Sequence, residues 1–466
     1  MSNANIEKTL CRLAWDYPVI NFGPSPGLRS CCRAAPSFVS HKDLDAHGTS
    51  IFTKFEPLVK MKYDLITGVQ AKACSSCWAT ELQGGRSPRI SSEAFAPYVA
   101  SSKVFGDADT EAIRVRLDKN DSTDVARLVH DLDHPRMLEI SFSNLCDLKC
   151  MYCNEHYSSQ WYAEKTRYKE IPIRVVTDDT RSLNARFKEI FWDWFESSAY
   201  KKLTCLNFIG GEPLLIDDFY EAMERVLGVY ESNPENVPAK GVTFCVVTNF
   251  NTPESQFQRW INYIKRILKN SKLHVDMNIS LETIGDRTEF IRSGSDWSRV
   301  SSNISRFLEA VKDVDSSRVS VGFIPSLNVL SVSGLPEFVQ YVIDLTHTHK
   351  RNIHIRQNQI VYPTWMQPGL LTRNYSKYIK QAIVLLSHNL VDETKMIPAG
   401  RWTAFRRYLL GLKTVIESPE STKDHHARRE FKTNVLKLSA RRGLDPYKTF
   451  PEMISFFNMI ETLELP

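Results

Sequence analysis

Residues 143–154 decide the fold, and they read Ser-Asn-Leu-Cys-Asp-Leu-Lys-Cys-Met-Tyr-Cys-Asn. They follow directly on residues 138–142, a short run whose alternating side chains predict a β-strand. The cysteines therefore lie on a loop at the C-terminal end of a strand, where the active sites of parallel α/β folds gather. Thiolates of Cys146, Cys150 and Cys153 can hold three irons of a [4Fe-4S] cluster and leave the fourth iron open.

A structural zinc site is the competing interpretation of this loop. Such a site takes four closed protein ligands, and His156 is the only nearby candidate for the fourth. The C-x3-C-x2-C spacing, with an aromatic residue before the last cysteine and a strand before the first, favours the cluster.

From about residue 136 onward, short strands alternate with amphipathic helices, which is the pattern of repeated βα units. Parallel strands joined by right-handed crossovers predict a partial (βα)6 barrel, so the fold class is α/β. The predicted strands are residues 138–142, 203–208, 242–247, 274–280, 319–324 and 353–357. The predicted helices between them are residues 183–197, 219–230, 254–269, 297–314 and 335–346.

The composition changes along the chain and predicts four regions. Residues 1–100 are rich in Pro, Gly and Ser and indicate an irregular, Cys-rich domain, and residues 101–135 indicate a polar linker. Residues 136–362 form the partial barrel. Residues 363–466 form a helical C-terminal region, with helices predicted at 375–390, 403–417 and 428–441.

The bulk composition is that of a globular enzyme. Hydrophobic residues make up 42% of the chain and charged residues 24%, and no apolar run approaches the ~18 residues that suggest a membrane span. The N-terminus lacks the basic and apolar parts of a signal peptide, so we expect a cytoplasmic protein. The net charge of +5 is spread along the chain and does not indicate nucleic-acid binding.

The cysteine loop resembles the motif of the radical S-adenosylmethionine superfamily, C-x3-C-x-aromatic-C, which Cys146, Cys150, Tyr152 and Cys153 match. After the second predicted strand, Gly210-Gly211-Glu212-Pro213 resembles that superfamily's loop for the methionine amino group of the cofactor. Its glycines let the backbone come close to a ligand, and Glu212 offers a carboxylate to an ammonium group. An ordinary turn is the alternative interpretation of this tetrapeptide.

Other matches to the superfamily stand at the ends of later strands. At the end of the third predicted strand, where members of the superfamily often have two polar residues, this chain has Thr248 and Asn249. The next residue is Phe250, whereas the superfamily frequently has glycine there. The resemblance implies cofactor contacts there, and also contacts from the residues Ser280, Glu282 and Asn328. For each of them, a polar residue satisfied at a strand end is the alternative.

A second set of cysteines resembles the auxiliary-cluster modules called twitch or SPASM domains. The set consists of Cys11, Cys31, Cys32, Cys74 and Cys77. The resemblance implies a second [4Fe-4S] cluster with one of the two adjacent cysteines as a ligand and with two tryptophans, Trp15 and Trp78, packed around it. A zinc site and plain buried thiols are the alternatives. Residues 158–161 and 289–297 also resemble twitch-containing radical proteins.

The resemblance implies a radical enzyme of oxidoreductase type. A reduced [4Fe-4S] cluster would cleave S-adenosyl-L-methionine, and the resulting radical would abstract hydrogen from a peptide or small-molecule substrate. The electron would come from a donor such as flavodoxin or ferredoxin. A methyl or sulfur transferase and a non-enzymatic, metal-stabilised binding scaffold are the alternatives.

The alternation of side chains predicts which residues of two later strands line the barrel. His354, Arg356 and Asn358 share one face of the sixth strand, and Asp276 and Asn278 share one face of the fourth. Two roles are open for Arg356. It binds a carboxylate or phosphate of the substrate, or it forms an internal ion pair. The mid-strand cysteines Cys205 and Cys245 are predicted to be core residues rather than ligands.

Overall fold

The computed structural model describes residues 9, 11, 13–23, 25–82, 87, 89, 135–174, 176–232, 235, 237–238, 241–356, 358–390 and 399–462. These residues divide into two compact units. Unit 1 lies within Met1–Ser143, Ile173–Cys245 and Ile267–His274, and unit 2 lies within Asn144–Pro172, Val246–Arg266 and Val275–Pro466.

The strands, in chain order, are β1 Val19–Asn21, β2 Gly27–Arg29, β3 Ser37–Phe38, β4 Met137–Ser141, β5 Lys149–Cys150, β6 Cys205–Ile209, β7 Val242–Thr248, β8 Leu273–Ile279, β9 Arg292–Ser293, β10 Val319–Phe323, β11 Ser326–Leu327, β12 Ile353–Ile355 and β13 Asn358–Gln359.

The α-helices are α1 Leu13–Asp16, α2 His41–His47, α3 Ile51–Lys54, α4 Glu56–Ile66, α5 Ser75–Leu82, α6 Ser159–Arg167, α7 Asp178–Ser197, α8 Asp217–Ser232, α9 Glu254–Ile267, α10 Asp286–Ile291, α11 Trp297–Ala310, α12 Leu335–Thr348, α13 Ser376–Leu390, α14 Ala399–Ile416, α15 His425–Arg442, α16 Pro446–Thr449 and α17 Ile454–Glu461.

In unit 1 the strands lie in the order β6-β4-β1-β2-β3. β4 pairs in parallel with β6 and β1, whereas β1 with β2 and β2 with β3 are antiparallel. Long helix α7 is capped by Thr177, the residue before its first turn, whose hydroxyl accepts a hydrogen bond from the Thr180 amide. Its buried Phe191 and Trp194 join an aromatic core with Phe22 and Phe52, and burial contributes about 1.5–3 kcal/mol for each large apolar side chain.

In unit 2 β10 pairs in parallel with both β8 and β12. Helix α11 shows how sequence defines a helix of this unit. Asp296 caps its N-terminus by accepting from the Arg299 amide, and residues at helical spacing, Val300, Ile304 and Phe307, turn to the core. The C-terminal part of unit 2 consists of helices α13 to α17, interrupted by short 3-10 turns.

The six predicted strands and the predicted helices are confirmed in type, with ends that shift by several residues. Residues 1–100 differ from the irregular structure expected there, because they supply β1, β2 and β3 as well as helices α1 to α5. The predicted linker at residues 101–135 lies outside the described residues except for Pro135. In the described ranges, no helix combines the length and apolar character that a membrane span requires.

Candidate functional site

The cysteine loop lies in unit 2. Cys146 and Cys150 are buried, Cys153 is half-buried, and the three thiols share one small apolar cluster with Leu148 and Tyr152. Strand β5, which includes Cys150, pairs antiparallel with β9. The loop is therefore held by backbone pairing to a segment more than 100 positions later, in addition to its local turns.

Helix α6 holds the same loop from another side. The Ser159 hydroxyl hydrogen-bonds both the amide and the carbonyl of Cys146, at 3.2 and 3.1 Å. The Ser158 hydroxyl donates to the Leu148 carbonyl at 2.6 Å, and Nε1 of Trp161 donates to the Cys150 carbonyl at 2.8 Å. These bonds supply donors to backbone carbonyls of the buried loop, which would otherwise lack partners.

Arg442, at the end of α15, reaches the loop as well. Its Nη1 donates to the Lys149 carbonyl at 2.9 Å, while Nη2 pairs with Glu164 at 3.0 Å. The guanidinium also stacks over the Trp161 ring, 4.6 Å from its centroid. The guanidinium is almost fully buried, so helix α15 positions the backbone next to Cys150.

The charge nearest the thiols comes from a buried ion pair. Nη2 of Arg292 lies 2.6 Å from Oε2 of Glu282, and Nη1 lies 3.9 Å from the Cys150 sulfur. The Tyr152 hydroxyl donates to Glu282 at 3.1 Å, and Arg292 lies over the Tyr152 ring. Four side chains from three segments thus form one network beside the cysteine loop.

Burial dominates the titration of these groups. It raises the pKa of Cys150 to about 12, against the opposing effect of Arg292. Burial also raises the pKa of Cys153 and of Tyr152. Burial alone lowers the pKa of Arg292, but Glu282, Tyr152 and Cys150 together raise it above its ordinary value, so this guanidinium stays charged.

Asn249 lies beside the loop, where its amide donates to Asp147 Oδ1 at 2.9 Å. Asn251 donates to Asp147 Oδ2 at 2.6 Å. Phe250 between them has a φ of 58°, the left-handed region that glycine adopts without strain. This left-handed backbone explains why a glycine is frequent at the same position in motifs that resemble this one. In this chain the position holds Phe250, whose buried ring packs against Phe257 and Phe307.

The other residues of unit 2 that were predicted to contact the cofactor form hydrogen bonds to nearby groups of the chain. Glu282 binds Arg292 and Tyr152, as described above. The Asn328 side-chain oxygen accepts from the amides of Leu330 and Ser331, and its Nδ2 donates to the Ser326 carbonyl. The Thr248 hydroxyl accepts from the Phe250 amide, and the Ser280 amide donates to the Thr248 carbonyl.

The Gly210-Gly211-Glu212-Pro213 segment lies in unit 1, directly after β6. Gly210 has a φ of 125°, and a Cβ there would lie 2.7 Å from the Ser143 carbonyl oxygen. The Gly211 amide donates to the same carbonyl at 3.0 Å. The turn therefore requires glycine, and its buried Glu212 accepts from the Leu214 amide to begin a 3-10 turn at Pro213.

Three of the five N-terminal cysteines lie in one core of unit 1, and Cys32 packs against that core. Cys11, Cys31 and Cys74 are buried there together with the two tryptophans predicted beside them, Trp15 and Trp78, and with the core cysteines Cys205 and Cys245. Burial raises the pKa of Cys74 to about 12 and that of Cys11 further, and their charges interact with Cys31.

The two adjacent cysteines share two charged neighbours, since burial and then the charges of Cys77 and Glu139 raise the pKa of both. Cys31 interacts electrostatically with Cys11, Cys74 and Cys77. Cys32 is half-buried, and after burial the largest influence that raises its pKa is Glu139. Among the described residues, no three His, Cys, Asp or Glu side chains are arranged as a metal-ion site.

The polar face of β8 and β12 forms an internal ion pair. Arg356 contacts Asp276 Oδ2 and Asn278 Oδ1, each at 2.7 Å. A Cβ on Gly322 of β10 would overlap the imidazole ring of His354, so glycine is required where this ring lies against the sheet.

A cleft of about 320 Å³ opens beside Cys153 in unit 2. Its lining includes Trp161 and Trp365, and also Lys437 and Arg441 of α15. Both cations bind Glu170. Cys153 of the cysteine loop therefore borders an open cleft that is lined by aromatic and charged side chains.

The sequence did not single out Arg292, Trp161 or Arg442 as site residues. A signal existed for the first two, since they fall within residues 289–297 and 158–161, the segments that resemble twitch-containing proteins. For Arg442 the sequence offered only a basic pair on a helix, Arg441 and Arg442.

Comparison with solved structures found two crystal structures of SuiB from Streptococcus suis. One has 12% sequence identity and a TM-score of 0.35, and the match covers 70% of this chain and 62% of that one. The other, bound to S-adenosylmethionine, has 13% identity and a TM-score of 0.30 and covers 79% and 68%. The chain thus spans less than two thirds of the first structure's length. No family model and no curated protein matched.

Proposed function

We propose that the chain is a radical S-adenosylmethionine enzyme of oxidoreductase type that acts on a peptide or a small molecule. One observation carries this proposal: Cys146, Cys150 and Cys153 share one loop and one apolar cluster with Tyr152, beside the buried charge of Arg292. The donor set fits a [4Fe-4S] cluster, because thiolates are its usual ligands and three of them leave one iron open. When bound, that cluster supplies the electron for reductive cleavage of S-adenosylmethionine.

The roles of the surrounding residues follow from their contacts. Arg292 offsets the negative charge that deprotonated cysteines bring into an apolar loop, and Glu282 fixes the guanidinium in place. Leu148 and Tyr152 exclude water from the thiols. Asn249 orients the loop through Asp147, so we assign it a positioning role.

Cofactor contacts for the turn Gly210–Pro213 in unit 1 remain part of this proposal. The supporting observation is that glycine is required at residue 210 and that the buried Glu212 carboxylate follows it. An ammonium group is the ligand chemistry that a buried carboxylate favours. We extend cofactor binding, on the resemblance alone, to Ser280 and Asn328.

We further propose a second metal group in unit 1, held by Cys11, Cys31, Cys74 and Cys77. Cys31 is favoured over Cys32 because it interacts with the other three cysteines. Four thiolates suit a [4Fe-4S] cluster or a zinc ion, and metal analysis distinguishes them. We place the entry of electrons from a flavodoxin or ferredoxin at the cleft beside Cys153.

Electron paramagnetic resonance tests the proposal on the anaerobically reconstituted, dithionite-reduced protein, with and without S-adenosylmethionine. We expect a cubane signal that shifts when S-adenosylmethionine is added, and formation of 5′-deoxyadenosine. The part of the signal that responds to S-adenosylmethionine should disappear when all three loop cysteines are changed to Ala, and any remaining signal would report the second group in unit 1. The responsive part should persist in Cys245→Ala, a control in the unit 1 core. If the protein contains its full complement of iron and its signal does not change when S-adenosylmethionine is added, the proposal is refuted and the metal-stabilised scaffold is favoured.

A further inference from the structure

A buried ion pair lies beside one of the three loop cysteines. The side chains of Arg292 and Glu282 are 5% and 0% exposed, so neither charge is in contact with bulk solvent. Arg292 in β9 is the register partner of Cys150 in β5. Backbone pairing of the two short strands therefore fixes Arg292 at the level of this thiol, independently of any side-chain contact.

The guanidinium divides its nitrogens between two neighbours. Nε and Nη2 both donate to Oε2 of Glu282, at 3.2 and 2.6 Å. Nη1 instead lies 3.9 Å from the Cys150 sulfur. The Tyr152 hydroxyl donates to the same carboxylate at 3.1 Å and places its ring against the guanidinium. Glu282 and Tyr152 thus hold Arg292 in an orientation that directs one nitrogen to the sulfur.

The two charges act on Cys150 in opposite directions. Burial has the largest effect on the pKa of this thiol, which it raises; among the charges, Arg292 lowers the pKa and Glu282 raises it, and Arg292 is the stronger. Buried charges are screened little by solvent or by salt. The ion pair therefore leaves a net positive potential at the sulfur, and its size depends on both partners.

A potential at this sulfur acts on electron uptake. One electron added to a cluster held by thiolates increases the negative charge of that group by one unit. A positive charge nearby stabilises the reduced form and raises the reduction potential, whereas a negative charge lowers it. The resemblance implies a cofactor contact for Glu282, yet its oxygens accept hydrogen bonds from Arg292 and Tyr152.

We infer that Arg292 and Glu282 set the reduction potential of the cluster in the cysteine loop with opposite signs: Arg292 raises it and Glu282 limits the rise. This inference rests on the proposed function and adds a control of the same site by charge. Both are positioning residues, because they act through the Cys150 sulfur. A purely structural pair would behave differently, since loss of either partner destabilises a buried ion pair in the same direction.

A redox titration monitored by electron paramagnetic resonance tests the inference on the anaerobically reconstituted full chain without S-adenosylmethionine. The chain with all three loop cysteines changed to Ala gives the contribution of unit 1, which is subtracted. We expect Arg292→Met to lower the ratio of reduced to oxidised cluster at a fixed potential by about tenfold, equivalent to about 59 mV for one electron. Glu282→Gln should raise that ratio by about threefold, less than tenfold because Glu282 acts less strongly on Cys150.

Further variants keep the test decisive. Arg292→Lys retains the charge, so it should restore a potential close to that of the wild type. Glu282→Gln keeps the size of the side chain and gives the sign of the effect even if Arg292→Met does not fold. The matched controls are Arg306→Met and Glu254→Gln, which break an exposed ion pair of unit 2 and should leave the potential unchanged.

Each outcome has a defined meaning. Equal potentials in wild type, Arg292→Met and Glu282→Gln, or shifts of the same sign in the two variants, would overturn the inference and leave the proposed function intact. Opposite shifts in a protein whose signal does not change with S-adenosylmethionine would support the inference and refute the proposed function. A wild-type chain that assembles no cluster in the loop would overturn both.

Discussion

The two cysteine groups of the chain are built in opposite ways. The loop group of unit 2 takes its three thiols from eight consecutive residues and is surrounded by charged and polar partners such as Arg292, Asn249 and Trp161. The group of unit 1 takes its thiols from positions between Cys11 and Cys77, and three of them, Cys11, Cys31 and Cys74, are buried in an apolar core. The thiols of unit 2 are close in sequence and are surrounded by charged and polar side chains. The thiols of unit 1 are far apart in sequence and come together only when the chain folds.

The difference separates two requirements of a metal-binding protein. A cluster that must exchange an electron and leave one iron open needs nearby polar groups that fix the loop without occupying the metal. Thiols that hold a closed site only need to be brought together and protected, for which apolar packing is sufficient. The contrast leads to five expectations, which run from the largest effect to the smallest.

Removal of single cysteines should produce the largest contrast. We expect Cys150→Ala to abolish the signal that responds to S-adenosylmethionine, because three thiolates are the minimum for the open cluster. Cys74→Ala should retain that signal and lose only the second metal. Electron paramagnetic resonance together with iron and zinc analysis measures both. A response to S-adenosylmethionine that survives in Cys150→Ala would contradict the assignment of the loop.

Loss of Arg292 should be the most destabilising change near the loop. Arg292→Ala leaves Glu282 buried and unpaired, so we expect a loss of about 3–5 kcal/mol in the free energy of unfolding. The matched control is Arg306→Ala, which breaks an exposed pair with Glu254 and should cost at most about 1 kcal/mol. Urea unfolding measures both. Similar losses in the two variants would show that the buried pair does not stabilise the loop.

The apolar group of unit 1 should respond to a cavity instead of a lost charge. Leu65 is fully buried in the core with Cys11 and Cys74. Leu65→Ala should cost about 2–5 kcal/mol and loosen the second metal. Val69→Ala, at an exposed position, should change stability by less than about 0.5 kcal/mol. If Leu65→Ala retained both stability and metal, packing would not be what holds this group.

Arg442 should matter for the retention of the cluster. Arg442→Ala removes a charge-assisted hydrogen bond to the Lys149 carbonyl and the pair with Glu164, and one hydrogen bond of this kind contributes about 1.5–3 kcal/mol. We expect iron to be lost to a chelator about tenfold faster. Arg441→Ala, one position earlier and bound to Glu170, is the control and should lose iron at the wild-type rate. Equal rates of iron loss in both variants would show that Arg442 of α15 does not help to retain the cluster.

The smallest effect should come from Glu170. Arg441 and Lys437 lower the pKa of this largely exposed carboxyl to about 2. A depressed pKa contributes stability that is complete above the ordinary value of about 4.3 and disappears as the pH falls toward 2. Glu170→Gln should therefore flatten the decline in urea stability below about pH 4, and high salt should reduce the difference. Parallel curves for both proteins would exclude this contribution.

Six strands and eight helices from β4 onward could be predicted because they depend on local periodicity. The two-residue strands β5, β9, β11 and β13 and the helices α6, α10, α16 and α17 were not predicted. The strands β1, β2 and β3 could not be predicted, since they contain only two or three residues each and pair with partners far along the chain. Nothing near Val19 indicates that it will pair with Glu139. The predicted irregularity of this region reflected its short elements.

The candidate site was predictable only where its residues are adjacent in sequence. The trio and the glycine turn each lie within a few consecutive residues. Arg292 approaches Cys150 across 142 positions, and no local pattern indicates such a contact. The resemblance implied a shared role for the N-terminal cysteines, whereas no local pattern indicated that the charge of Glu139 would act on Cys31 and Cys32.

The contact between Arg442 and the Lys149 carbonyl has a consequence for biosynthesis. The two residues are 293 positions apart, so the ribosome completes the cysteine loop long before it makes the helix that braces it. At about 5–20 residues per second, the interval is roughly 15–60 s. During that time the cysteine loop lacks the brace that α15 supplies. Synthesis of the last helices therefore completes the surroundings of the cysteine loop.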